Sequence, residues 1–261
     1  VLLATQSDAL VLASVARYRR FDGYTSIEVP ERRDFWYGHA LILDREPAPD
    51  DRAMWIARHA EHFRRIDVRR HTIVWEVTGT RERGPELGPN VRGEIERSIV
   101  FARRTPYGTA VDARVRPLAS DADWDAAAAL SALEDTDASP EMRDFGHWRF
   151  GIVRSDATNG RMRMWGIWDG DELAAFAGIY GSPTLARFTT PVTRAAYRGR
   201  GLFRALCAAA VDATLHARPQ ATVIICAAAG EAPEGIYRRL GFEAVGETYG
   251  LLGERGEATG A

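Results

Sequence analysis

The residues best suited to chemistry lie in one short run, Arg198-Gly199-Arg200-Gly201-Leu202-Phe203. Past Gly201 the apolar residues Leu202, Phe203, Leu206, Ala209, Ala210 and Ala213 recur at helical spacing, which predicts a turn entering a helix. Gly199 and Gly201 open backbone conformations closed to other residues and leave room for a ligand against the main chain. The first N–H groups of such a helix have no intrahelical acceptor, and the helix dipole adds partial positive charge there. With Arg198 and Arg200 beside it, the turn suits a phosphate or pyrophosphate. It is neither a P-loop nor a dinucleotide fingerprint, because neither spacing is present. Taken alone, the same turn is equally at home as a solvated basic loop.

Two neighbouring stretches position it. Thr184 to Val192 reads as a strand that ends at Pro191-Val192, just ahead of the turn. Ala221-Thr222-Val223-Ile224-Ile225-Cys226-Ala227 is a β-branched run suited to a buried parallel strand. Beyond it, Gly235-Ile236-Tyr237-Arg238-Arg239-Leu240-Gly241-Phe242-Glu243 closes a helix, with Gly241 as its C-cap and Phe242 starting another strand.

Strand, phosphate turn, helix, strand, helix, strand resembles the GCN5-related N-acetyltransferases (GNAT) over about residues 113 to 250. Their pyrophosphate loop reads Arg/Gln-x-x-Gly-x-Gly/Ala, and Arg198 to Phe203 fits it except that Phe203 replaces a small residue. Tyr237 followed by Leu240-Gly241-Phe242 matches the family's closing motif. The resemblance implies an α/β fold with a mixed central sheet flanked by helices, and acyl-CoA-dependent N-acyl transfer, most simply of acetyl from acetyl-CoA. Direct attack by an amine in a ternary complex is implied too, with no metal. It assigns cofactor binding to Pro191, Val192, Arg198, Gly199, Arg200, Gly201, Leu202 and Phe203, and places Tyr237 as the general acid that protonates the departing thiolate. A backbone N–H near Val192 would polarise the thioester carbonyl. Three departures stand out: Gly230 where the family often has Asn, Pro233 where Ala is usual, and no carboxylate in Arg187-Phe188-Thr189-Thr190. The general base is therefore unassigned, with water or an acid from Glu134-Asp135-Thr136-Asp137 in view. The acceptor is a small-molecule or peptide amine that the sequence does not name. A non-catalytic acyl-CoA-binding regulator is the alternative function.

The whole chain has to supply the frame for these residues. Its 261 residues suit two lobes, and 46% hydrophobic with 27% charged residues is ordinary globular composition. A net charge of −2 gives no general attraction to nucleic acid or anionic membrane, and neither partner is expected. All 34 basic residues are arginine, which excludes Lys-based Schiff-base chemistry. Cys207 and Cys226 make no disulfide framework and read as small buried hydrophobes. The apolar start, Val1 to Ala16, is broken by Gln6, Ser7 and Asp8 and reads as an amphipathic helix, so a cytoplasmic location is expected. Oligomeric state is not in the sequence.

Residues 1–112 are expected as a first lobe and 113–261 as the acetyltransferase-like domain. In the first lobe a helix to Arg20 is predicted, then strands at Ser26–Val29 and Asp34–Leu43. A helix carrying Met54, Trp55, Ile56, Ala60 and Phe63 follows, then strands at His71–Val77 and Ile95–Phe101. Glu86-Leu87-Gly88 ahead of a strand faintly echoes Arg239-Leu240-Gly241, which suggests a degenerate copy of the same fold without a phosphate turn. One cofactor site per chain follows, with Trp36, Tyr37 and Trp55 serving packing. In the second lobe Val115–Leu118 opens a sheet, and Asp121–Leu133 and a segment from Ser139-Pro140 are helices, the latter burying Met142, Phe145, Trp148, Ile152 and Val153. Asp169-Gly170 joins two strands as a hairpin. His59 and His62 sit three apart on a helix, but no third ligand is evident and a solvated amphipathic face accounts for them. Arg64, Arg65, Arg69 and Arg70, diluted by Asp67, read as a solvated face, and no Gly-x-Ser-x-Gly elbow occurs.

Overall fold

The computed structural model describes residues 2–66, 68–89, 91–135 and 139–254. In chain order the elements are α1 (Leu3–Leu12), β1 (Arg17–Phe21), β2 (Tyr24–Glu28), β3 (His39–Leu43), α2 (Arg52–His62), β4 (Arg70–Thr78), β5 (Glu94–Arg103), β6 (Val115–Pro117), α3 (Asp121–Glu134), α4 (Pro140–Thr158), β7 (Met162–Asp169), β8 (Glu172–Gly181), β9 (Leu185–Thr193), α5 (Leu202–Ala217), β10 (Thr222–Ala228), α6 (Ala232–Arg239) and β11 (Glu243–Glu254). Short 3₁₀ turns at Trp36–Gly38, Pro49–Asp51 and Ala195–Tyr197 precede β3, α2 and α5. The chain forms two compact units, residues 1–102 with 226–261, and residues 103–225.

In the first unit the strand order is β1-β2-β3-β4-β11-β5. β3 and β4 are parallel, joined through α2 as parallel neighbours require, and the remaining pairs are antiparallel. β11 lies between β4 and β5, with Tyr249 opposite Trp75 on one side and Arg97 on the other. That pairing explains why residues 226–254 group with the first 102 rather than with a unit cut at 112/113. Apolar residues of α2, Ile56 among them, and Phe63 just beyond it bury against Leu41, Leu43, Ile73, Trp75 and Leu251. Trp55 packs on the same core, as its aromatic character suggested. The carboxylate of Glu76 accepts the N–H groups of Ala4 and Thr5 at 3.2 and 3.1 Å, which satisfies orphan donors at the start of α1.

Three expectations are corrected here. The first helix ends at Leu12, and Arg17–Phe21 is an outer strand whose three exposed arginines keep its open edge charged. Asp34–Leu43 is not one strand, because the backbone turns through Trp36–Gly38 first. Gly38 is required there, since a Cβ would stand 2.6 Å from the Phe35 ring. His59 is not on a solvated face: it is buried, with Nε2 2.8 Å from the His39 carbonyl. Asp67, part of the basic stretch, lies outside the described residues.

In the second unit the order is β10-β9-β8-β7-β6, with β9 and β10 parallel and the other pairs antiparallel. Gly170, at φ +60°, makes the two-residue turn that sets Asp169 opposite Glu172. α3 opens with a capping box in which the Ser120 hydroxyl and the Asp123 carboxylate each accept the other's backbone N–H. Asp123 also receives both arms of Arg116, and the guanidinium holds its carboxyl well below the usual range. Of the residues expected to be buried on α4, only Val153 is; Met142 is exposed near the helix start. Among the described residues no helix is long and apolar enough to cross a membrane.

Candidate phosphate turn and its surroundings

β9 does not end at Pro191-Val192 but continues to Thr193 through a bulge. Gly178 faces Thr189 and Phe176 faces Val192, so Thr190 and Pro191 of β9 lie opposite Ala177 alone of β8. Thr190 takes a φ of +51°, unusual for any residue with a Cβ and more so for a β-branched one. Pro191, exposed beside it, has no N–H to give to a ladder, which suits it to a bulge. Pro191 was the legible signal; Thr190 and the bulge itself were not anticipated. Among the described residues the parallel pairing with β10 runs only over Leu185–Arg187, six residues short of the end of β9. The strand is thus anchored at its start and bent at the end nearest the turn. Such bulges gather beside active sites, where they re-aim a strand's groups.

The chain then folds through the 3₁₀ turn Ala195–Tyr197 into Arg198-Gly199-Arg200-Gly201. Gly199 and Gly201 sit at φ +77° and +76°, the left-handed region that favours glycine. An added Cβ at either would meet nothing within 4 Å, so glycine is needed here for conformation, and the outer surface of the turn is open. Gly201 is the N-cap of α5 and offers no side chain to its first N–H groups. Among the described residues the N–H groups of Gly199, Arg200, Gly201 and Leu202 make no backbone hydrogen bond, whereas those of Arg204 and Ala205 reach the Gly201 carbonyl at 3.1 and 3.3 Å. Leu202 is buried beneath the helix start. Phe203 packs edge-on against Phe188 of β9, with ring centroids 6.0 Å apart, so the bulk that departs from the motif is taken up between helix and sheet.

The turn is held from below by Glu134, the last residue of α3. One oxygen accepts the Ala195 N–H at 2.8 Å, and the other accepts from the Arg198 guanidinium. Arg198 also donates to the Thr193 carbonyl at 3.2 Å. The Glu134 side chain is 12% exposed and that of Arg198 61%. Glu134 was one of the acids considered for a general base; here both its oxygens are committed to the turn. Thr136 and Asp137 of the same loop lie outside the described residues. On the far side Tyr197 donates to Glu172 at 2.7 Å, a bond that pushes the phenol up to about 12, and the Arg200 guanidinium stacks 4.9 Å above the Tyr197 ring. Arg200 has no carboxylate partner among the described residues, so it and the free N–H groups supply the positive character of the turn.

Tyr237 belongs to the first unit. It lies on α6, 6% exposed, with its ring edge-on to Phe101 at 5.9 Å and tilted against Phe242 at 6.4 Å. Gly241, at φ +75°, ends that helix as the motif requires. Cys207 is buried within α5, which pushes its thiol up to about 12 and suits it to packing rather than nucleophilic work. No group of three or more His, Cys, Asp or Glu that could hold a metal occurs among the described residues.

Comparison with known proteins bears on the same region. The family described as acetyltransferase (GNAT) domain matches residues 144–251, from within α4 to within β11. No curated protein matches the chain. Among solved structures, a functionally unknown conserved protein from Staphylococcus epidermidis is 10% identical, with a TM-score of 0.71 over 92% of this chain and 94% of its own. A GCN5-related N-acetyltransferase from Kribbella flavida is 18% identical, with a TM-score of 0.60 over 96% of this chain and 94% of its own. A tandem GNAT protein from the clavulanic acid biosynthesis pathway is 21% identical, with a TM-score of 0.56 over 91% of this chain and 79% of its own. At these identities the likeness is one of fold.

Proposed function

From the premise that this chain belongs to the GNAT superfamily, in a tandem-lobe arrangement, we propose that it transfers an acyl group, acetyl first of all, from acyl-CoA to an amine. We place the catalytic domain between about residue 113 and the C-terminus, and the acceptor among small-molecule or peptide amines. Acyl-CoA supplies the activated thioester. The observation that carries the reading is the turn itself: two left-handed glycines, unbonded N–H groups at the start of α5, and an open surface above them. These residues fit a pyrophosphate, with Gly199 to Phe203 giving backbone donors and Arg200 adding charge. Arg198 acts differently from a simple phosphate ligand, since Glu134 already holds its guanidinium and uses it to fix the turn.

In this reading the backbone of 190–192, turned by the bulge at Thr190, is the proposed donor to the thioester carbonyl. Pro191 lacks an N–H, which leaves those of Thr190 and Val192 as the candidate donors. Tyr237 is the proposed proton donor to the departing sulfur, an assignment that rests on its place in the closing motif. No carboxylate on β9 is available as a base, and we propose that water or the acceptor's own equilibrium supplies the free amine. The test is a panel of amines incubated with acetyl-CoA and a thiol-detecting reagent, alongside a thermal melt with coenzyme A. Binding with turnover supports the enzyme, binding without turnover on any amine supports an acyl-CoA-binding regulator, and indifference to millimolar coenzyme A would reject both.

A further inference from the structure

The first unit contains a second, separate concentration of polar side chains, at the C-terminal ends of the parallel strands β3 and β4 and the start of α2. In open α/β sheets this is where ligands bind, outside the carboxyl ends of the strands. Five charged side chains come together here. Glu46 pairs with Arg81 at 2.8 Å. Glu247 pairs with Arg97 at 2.5 Å and also accepts the Arg81 N–H at 2.8 Å and the Tyr249 hydroxyl. The remaining member, Arg52, is the first residue of α2 and is 1% exposed, yet its Nε and Nη1 have no acceptor among the described residues.

Arg52 instead lies over the ring of Trp75, 5.6 Å from the centroid. The indole Nε1 of Trp75 is itself buried and without an acceptor. Three buried donor nitrogens therefore have no acceptor, while Asp50 and Asp51 just before Arg52 are exposed. A cation–π contact compensates only part of this, and a guanidinium cannot shed its proton to escape the cost. Burial pulls Arg52 below its ordinary range while the nearby Glu46 pulls it back, whereas Arg81 and Arg97, each hydrogen-bonded to a carboxylate, are raised. The backbone at the start of α2 is already satisfied, since the N–H groups of Asp51 and Arg52 donate to the carbonyls of Ala48 and Pro49, so the unpaired donors are those of the two side chains. The segment after β4 closes over this corner: Leu87 packs on the core, and the Gly88 backbone is so close to Pro49 that a Cβ would stand 2.4 Å from its carbonyl oxygen.

We propose that Arg52 and Trp75 Nε1 form a binding site for a small oxyanion, best a carboxylate, whose planar pair of oxygens matches the guanidinium fork. The site lies wholly within the first unit and does not depend on acyl-CoA binding at the turn of α5. Its occupant would stabilise the first lobe, and a metabolite carboxyl group in this position would report its concentration through that lobe's stability.

The experiment is a thermal melt of the full chain at pH 7.5, with sodium acetate replacing sodium chloride at fixed ionic strength up to 0.1 M (about the range for a weak site). Wild type and Gly201→Asp are both expected to gain about 2 °C or more, since the second variant disables only the phosphate turn. Arg52→Met should melt at or above wild type without acetate and show no gain with it. Trp75→Phe keeps the ring, loses one donor and should retain less than the full gain, which serves if Arg52→Met does not fold. A wild type that does not respond to acetate, or an Arg52→Met or Trp75→Phe protein that responds as strongly as wild type, overturns the proposal and leaves water as the acceptor. A response lost in Gly201→Asp assigns it to the turn of α5 and overturns the proposal equally.

Discussion

Replacing Glu134 with Ala tests whether the phosphate turn is preorganised from below. The change removes the acceptor of the Ala195 N–H and the partner of Arg198 at once. A hydrogen bond to a charged group contributes about 1.5–3 kcal/mol. Arg198 is mostly exposed, so its ion pair is worth no more than about 1 kcal/mol after solvent screening. The two losses together come to about 1–2 kcal/mol, because Ala195 can recover part of its bond from water. Since ordering the turn must then be supplied by the ligand, coenzyme A affinity should fall by about 5- to 30-fold. Glu134→Gln separates the two roles. Its amide oxygen can still accept the Ala195 N–H, while the guanidinium of Arg198 is released toward phosphate, so affinity should stay within about threefold of wild type. Calorimetric titration of coenzyme A at 0.15 M salt, with melts to confirm folding, reads both. An Ala variant that binds as wild type does, in a protein where Gly201→Asp abolishes binding, would refute the idea that Glu134 organises the turn.

Gly201→Asp should abolish coenzyme A-induced thermal stabilisation through its φ of +76° and its charge, while Gly201→Ala, whose Cβ meets nothing, should weaken binding only through backbone strain of about 1 kcal/mol. Tyr237→Phe should lower kcat at least about tenfold with coenzyme A affinity unchanged if the phenol gives the proton, and an equally active Phe variant would remove it from the mechanism. Buried His71, held down to about 4 by desolvation against a weak opposing pull from Glu254, must stay neutral in the fold while the unfolded chain titrates near 6.5. Its stabilising effect is therefore complete above pH 6.5 and declines as pH falls through 6.5 toward 4, by roughly 3 kcal/mol over the window. His71→Leu should flatten that part of the pH–stability curve measured by urea unfolding, and an unchanged slope would show that other groups carry it.

The parts of the fold set by local chemistry were legible in the sequence. Asp169-Gly170 makes its hairpin, Ser139-Pro140 starts a helix, Gly241 ends one, and Gly199 and Gly201 take the backbone angles that only glycine adopts easily. What stayed hidden depends on neighbours. Arg17–Phe21 looks like the tail of an amphipathic helix until β2 is beside it, and His59 looks solvated until β3 covers it. Glu134 is the instructive case at the site. Its residue type suggested proton chemistry, but its oxygens serve the backbone and guanidinium of a turn sixty residues away in sequence, a partnership no spacing rule encodes.

β11 shows most clearly why the sequence stops short. Its run of buried residues, with Tyr249, Leu251 and Leu252 all enclosed, specifies a central strand but not which strands flank it. Register on β4 is then fixed by particular contacts: Tyr249 stacks on Trp75 at 5.6 Å, and Gly246 lies so close to β4 that a Cβ would stand 2.6 Å from the Val77 carbonyl oxygen. A slip of one residue would turn Tyr249 and Leu251 to the opposite face and separate Glu247 from Arg97. The last strand of the chain is thereby built into the core of the unit formed by its first hundred residues. The same pairing sets Tyr249 and Glu247 beside Trp75, which makes the corner around Arg52 a joint product of the two ends of the sequence. The groups around Arg52 are thus held in place by the packing of β11 rather than by any loop motif.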